Sequence, residues 1–199
     1  MKCLLNMDLF SPHLIDREMS ALRSAGIALC FLFFLLSGNG AFAQHPDNVF
    51  DAAREGNTAV LETLLKADPG LADSTQEGST PLLLAAYYGH AEAVAFLAPR
   101  TAEADQLSSY GTALMGAAVK GHTDIMRILL ENGADPDATD RENNTALTFA
   151  AMFQHEDAAR LLTEHGADPT VKNHKGFSPA DYAAVHKNTV LTILFDQND

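Results

Sequence analysis

The chain has 199 residues, 47% of them hydrophobic, enough for one domain with a core of its own. Thirteen Lys and Arg stand against 26 Asp and Glu, a formal net charge of −13. Such a surface repels a phosphate backbone, which argues against nucleic-acid binding, and solubility is the plain reading of the excess.

Both cysteines, Cys3 and Cys30, lie near the N-terminus. Beyond them there is no disulfide, thiol nucleophile or cysteine-based zinc site to build, which suits an oxidising compartment. Residues 1–24 carry no pattern, and residues 25–36 are an uncharged apolar run of twelve. Ser37-Gly38-Asn39-Gly40 breaks the run, and Ala41-Phe42-Ala43 before Gln44 has the small-x-small form of a secretory cleavage site. With Arg17 and Arg23 upstream, the parts of an export signal stand in order. The run falls short of the roughly 20 residues that span a bilayer, so removal is expected rather than anchorage. Residues 1–43 thus read as a leader with a secretory signal peptide, with Met19 as the expected true start. Leu29 before Cys30 is too bulky for a lipidation signal. The expected location is periplasmic or secreted, with no membrane contact after cleavage.

Residues 44–199 divide into five units, at about 45–75, 76–107, 108–140, 141–173 and 174–199. The first has Val49, Phe50 and Ala53 for one short helix and Leu61, Leu64 and Leu65 for another, with Asp51, Arg54, Glu55 and Glu62 as the polar side of an end cap. The second starts its first helix at Thr80 and ends it with Tyr87-Tyr88; Pro99 should stop its second helix early. The third is the most regular. Thr112 caps a helix over residues 113–120, Gly121 stops it, and a second helix from about Thr123 places Ile125, Ile128 and Leu129 at i, i+3 and i+4 before Gly133. The fourth repeats this from Thr145. The fifth, from Ser178, finishes with Val190, Leu191, Ile193, Leu194 and Phe195 and caps the array.

The capping hydroxyls Thr80, Thr112, Thr145 and Ser178 are spaced by 32, 33 and 33 residues. In register with them stand Ala85-Ala86, Ala117-Ala118, Ala150-Ala151 and Ala183-Ala184, then His90, His122 and His155, and Gly-Ala-Asp-Pro at Gly133 and again at Gly166. A period of 33 with this content resembles the ankyrin repeat, and the resemblance covers nearly everything after the leader. It implies an all-α fold, an ankyrin-like helical repeat solenoid of about five helix-turn-helix units with short hairpin or turn connections. Thr80-Pro81-Leu82 keeps the family's opening motif, but Leu83 stands where its histidine belongs, and the later copies depart further. The family's Thr/His link between repeats is therefore expected to be missing, with stability resting on apolar stacking.

The polar residues offer several candidate sites of chemistry. His90, His122 and His155 share one repeat position, and helices stacked about 8–10 Å apart hold them too far apart for one zinc ion, so a structural role is expected. Asp135, Asp137 and Asp140 look like a calcium loop, but Asp140 sits where the turn needs glycine. Ser178, Asp181 and His186 could be assembled into a hydrolytic set, although Ser178 is a helix cap and no nucleophile elbow is present. Asn143-Asn144-Thr145 satisfies a glycosylation sequon whose threonine is already a cap. No catalytic residue, metal or cofactor is expected.

What remains is surface. Ankyrin-like proteins bind through their turn tips and the ends of their first helices, which line the concave face. By register the resemblance places there Tyr87, Tyr88, Tyr110, Lys120, Met152, Phe153, Phe177, Glu77 and Arg141, with Tyr110 where the family commonly has glycine. Clustered aromatic residues of this kind dominate binding energies. The expected function is a non-catalytic protein-protein interaction module in the periplasm, acting as a monomer on a protein partner within an acidic rim. A narrower alternative is an accessory or inhibitor of a periplasmic enzyme, for example in peroxide defence; one of another class is a metal-binding or hydrolytic enzyme.

Overall fold

The computed structural model describes residues 48–196; the expected leader, with its expected cleavage site and Met19, lies outside the described residues. The described residues form helices in pairs: α1 (Val49–Glu55) and α2 (Thr58–Ala67), α3 (Pro81–Tyr88) and α4 (Ala91–Leu97), α5 (Ala113–Lys120) and α6 (Thr123–Glu131), α7 (Ala146–Met152) and α8 (Glu156–Glu164), α9 (Pro179–Val185) and α10 (Thr189–Asp196). The odd-numbered helices pack successively on one another in a first row, and the even-numbered helices do the same in a second row. This is the all-helical solenoid that the period implies.

Each unit is built by local chemistry that its sequence dictates. The hydroxyl oxygens of Thr80, Thr112, Thr145 and Ser178 accept the backbone N–H of Leu83, Met115, Thr148 and Asp181 at 3.1, 3.3, 3.2 and 3.2 Å. All four caps are buried, so the bonds satisfy amides that water does not reach. The alanine pairs let the first-row helices approach closely: Ala85, Ala86, Ala117, Ala118, Ala150 and Ala151 are fully buried, packed with Leu82, Leu114 and Leu147. Pro99 acts as expected, since α4 ends at Leu97 and a 3₁₀ turn, Ala98–Arg100, replaces its last turn.

Stacking is not purely apolar. The Nε2 atoms of His90 and His155 bond the carbonyl oxygens of Arg54 and Val119, each in the preceding unit, at 2.8 and 3.1 Å. The rings lie over the glycines that end α1 and α5. A Cβ on Gly121, whose φ is +72°, would stand 2.8 Å from His155 Nδ1, and one on Gly89 would stand 3.0 Å from His122 Nε2. The register histidines thus join successive units as well as the two helices of their own unit, and they restore by another route the side-chain link that the missing Thr/His pair removed.

A second ladder runs along the turns. Carboxylate oxygens of Asp73, Asp105 and Asp137 accept the backbone N–H of Ala102, Asp135 and Asp168 in the following unit at 2.8, 2.8 and 2.9 Å. Part of the acidity therefore holds repeats together. Asp105 is the exception in the ladder: its second oxygen, Oδ1, is buried with no hydrogen-bond partner among the described residues. Burial raises its pKa, the Asp135 amide offsets part of this, and the Asp135 carboxylate adds to it.

Candidate binding groove on the first-row helices

The ends of α3 and α5 frame a depression of about 400 Å³. Its lining includes Leu83, Leu84, Tyr87 and Tyr88 of α3, Gly116 and Val119 of α5, Phe149 of α7 and Tyr110 of the preceding turn. Tyr87 and Tyr88 meet edge to face at 5.4 Å between ring centroids, and Lys120 Nζ lies 4.5 Å from the Tyr87 ring centroid. Aromatic pairs and a cation over a ring face hold these side chains in place before anything binds. Tyr88 is 50% exposed and Tyr110 69%, so large apolar surface faces solvent here.

The structure divides the residues singled out in the sequence. Tyr87, Tyr88 and Tyr110 come together in the groove, with Lys120 at its edge. Glu77 lines a small adjoining hollow with Arg54 and Gln76, which shares Ser79, Leu84 and Tyr110 with the groove. Met152 lies in a separate depression of about 130 Å³ with Tyr182, Asn173 and Lys175. Phe153 and Phe177 line neither. Phe153 stacks on His155 at 6.3 Å and Phe177 tilts against Tyr182 at 5.6 Å, although both stay more than 40% exposed. Arg141 is exposed on a turn. The acid rim is also redistributed: α3, α5 and α7 contain no Asp or Glu, and the carboxylates stand on the outer first-row helices α1 and α9, on the second row and on the turns.

Sequence reasoning missed Leu83, Leu84, Gly116 and Phe149. The signal was present in the register, because the fourth residue after each cap is Leu84, Gly116, Phe149 and Tyr182 in turn. Three copies carry a large side chain there and one carries none, and the groove opens over that one.

The alternative constellations have other occupations. Ser178 N and Oγ both donate to Asp181 Oδ2, at 2.9 and 2.8 Å, while Asp181 N donates back to Ser178 Oγ. This is a capping box, and the backbone N–H of Ser178 followed by its hydroxyl holds the Asp181 carboxyl below its ordinary range. His186 ends the same helix at its far side. Asp137 and Asp140 accept backbone amides, and Asn143 Nδ2 donates to the Lys172 carbonyl at 2.7 Å. Among the described residues no group of three or more His, Cys, Asp or Glu side chains is placed to hold a metal ion, and none of their helices is long and apolar enough to cross a membrane.

Comparison with known proteins agrees with this architecture. The chain is 38% identical over 113 residues to human ankyrin repeat and SOCS box protein 3, which covers 53% of this chain and 21% of that protein. It is 39% identical over 95 residues to mouse ankyrin repeat and SAM domain-containing protein 6, covering 46% of this chain and 11% of the relative. Bovine ankyrin repeat and SOCS box protein 2 is 33% identical over 103 residues, covering 48% and 15%. The chain therefore spans about a fifth or less of the length of these relatives, and their SOCS box and SAM domain are features of those proteins. The family model for ankyrin repeats matches residues 49–140 and 135–199, so the chain belongs to the ankyrin-repeat family, whose repeats are protein-protein interaction modules.

Proposed function

We propose that this chain is a non-catalytic binding module that takes a protein partner on the concave face, with Tyr87, Tyr88 and Tyr110 as its anchors. The observation that carries the reading is the groove itself: three tyrosines converge on an apolar depression on a stacked scaffold, so a partner buries aromatic surface without paying to order it. Met152, Phe153, Phe177, Glu77 and Arg141 extend the same face beyond the groove. The partner meets the module after export, because residues 25–43 carry an apolar run and a small-x-small cleavage pattern. Sequencing the N-terminus of the secreted protein tests export, and a start at Gln44 is the expected result.

The binding reading is tested by capture from an extract of the exporting compartment. The parent is expected to retain a protein that a Tyr88→Ala, Phe153→Ala variant of equal helical content loses. Equal capture by both refutes the aromatic face.

A further inference from the structure

The groove has a chemistry narrower than protein binding in general, and the inference rests on the reading above. We infer that it receives an acidic peptide segment of a protein partner, one large apolar side chain seating over Gly116 while a neighbouring carboxylate meets Lys120 and the tyrosine hydroxyls.

The first argument is the glycine. Gly116 lies inside α5, where glycine is less favourable than alanine. Nothing around it forbids a methyl group. A Cβ there would have Leu83 Cγ, the Leu83 carbonyl oxygen and Tyr87 Cβ as its nearest neighbours, all at 3.7 Å, which is ordinary contact. Neither backbone conformation nor crowding requires a glycine, yet the registered copies carry Leu84, Phe149 and Tyr182. Its consequence is the open floor of the groove between Leu84 and Phe149.

The second argument is charge. Across α3, α5 and α7 the one charged residue is Lys120, whereas α4, α6 and α8 carry Glu92, Asp124, Glu131, Glu156, Asp157 and Glu164 against Arg127 and Arg160. In a chain of net charge −13 the groove's own lining carries no carboxylate; Lys120 is the charge at its Tyr87 edge, and Arg54 and Glu77 stand together in the adjoining hollow. Lys120 makes no ion pair among the described residues, and its ammonium is held at the groove edge by the Tyr87 ring. The hydroxyls of Tyr87, Tyr88 and Tyr110 make no hydrogen bond among the described residues either, and each is a donor that a carboxylate accepts. An ammonium and phenolic donors beside an apolar floor complement a carboxylate beside an apolar side chain, and Lys120 repels a basic one.

The test titrates the isotope-labelled full chain with two synthetic probes, acetyl-Phe-Glu-Glu-amide and acetyl-Phe-Lys-Lys-amide, following backbone amide resonances. The acidic peptide is expected to shift Gly116 and Val119 and to bind at least tenfold more tightly than the basic one. Lys120→Gln should erase that preference. Gly116→Leu, which fills the floor, should weaken the acidic peptide at least tenfold, and Gly116→Ala, which suits a helix better than glycine, should weaken it in the same direction with the fold intact. Equal binding of both peptides, shifts confined to another face, or undiminished binding by both glycine variants overturns the proposal. So does phenylacetate binding as tightly as the acidic peptide, which would make this a small-molecule site. If Gly116→Leu still captures a partner that the Tyr88→Ala, Phe153→Ala variant loses, the acidic-peptide inference falls and the broader binding reading stands.

Discussion

The two rows of helices are made of different material. In the first row, α3, α5 and α7 are short, nearly free of charge, rich in alanine and capped by buried hydroxyls. In the second row, α6 and α8 bury one stripe, such as Ile125, Met126 and Leu129, and expose Asp124, Arg127, Asp157 and Arg160. Close approach needs small side chains on both partners, which leaves the first row little freedom to vary, whereas an exposed stripe tolerates change. The row that cannot change at its interface is also the row whose ends present the tyrosines.

The sharpest way to break this contrast is to change one residue in each row. Ala118→Leu forces methylenes into a fully buried inter-helix contact and should cost about 1–3 kcal/mol in a denaturant titration. Arg127→Ala, on the exposed side of α6, should stay within about 0.5 kcal/mol. Equal losses would show that the two rows are not distinct in packing.

A smaller effect separates stacking from polar linkage. His155→Ala removes the bond to the Val119 carbonyl and uncovers Gly121, and a loss of about 1 kcal/mol is expected. Arg54 O is bonded by His90 in the same way at the other end of the array, so His90→Ala should behave alike. A change near zero for both would return the whole of inter-repeat stability to apolar contact.

The caps and the helix-ending glycines were legible because each acts within its own helix, and the alanine pairs, which act between units, were legible because their repetition in register multiplied the signal. Gly121 next to His122 announces a helix end by itself. The carboxylate ladder was not legible: Asp105 reaches an amide 30 residues away, and an aspartate bound for such a bond looks, in sequence, like one bound for water. Phe153 shows the opposite limit. Its register sets it at the end of a first-row helix, but whether its ring joins Tyr88 or stacks on His155 depends on side-chain directions that periodicity does not carry. Gly116 sat in plain view in the aligned copies and was absorbed into a run of small residues; only the neighbouring Leu84 and Phe149 side chains make its emptiness meaningful.

The turn ladder offers the finest comparison, since its Asp105 and the capping-box Asp181 are the same residue type with opposite settings. Burial raises the pKa of Asp105 above the ordinary 3.8, so the folded state holds its proton more tightly than the unfolded chain, and stability declines as pH rises through the folded value. The Ser178 N–H and hydroxyl lower the pKa of Asp181, so its contribution is present above 3.8 and is lost as pH falls through the lower folded value. Asp105→Asn keeps an oxygen for the Asp135 amide and removes the buried charge. At pH 7 the variant should therefore unfold at a higher denaturant concentration than the parent, the gap closing as the pH is brought below about 4. Asp181→Asn should show the reverse sign at pH 7, losing stability relative to the parent, with the deficit shrinking only as the pH falls below 3.8 through the lower folded value. A parent that is more stable than Asp105→Asn at pH 7 would mean that the carboxylate's bond to the next repeat outweighs the burial of its unpartnered oxygen.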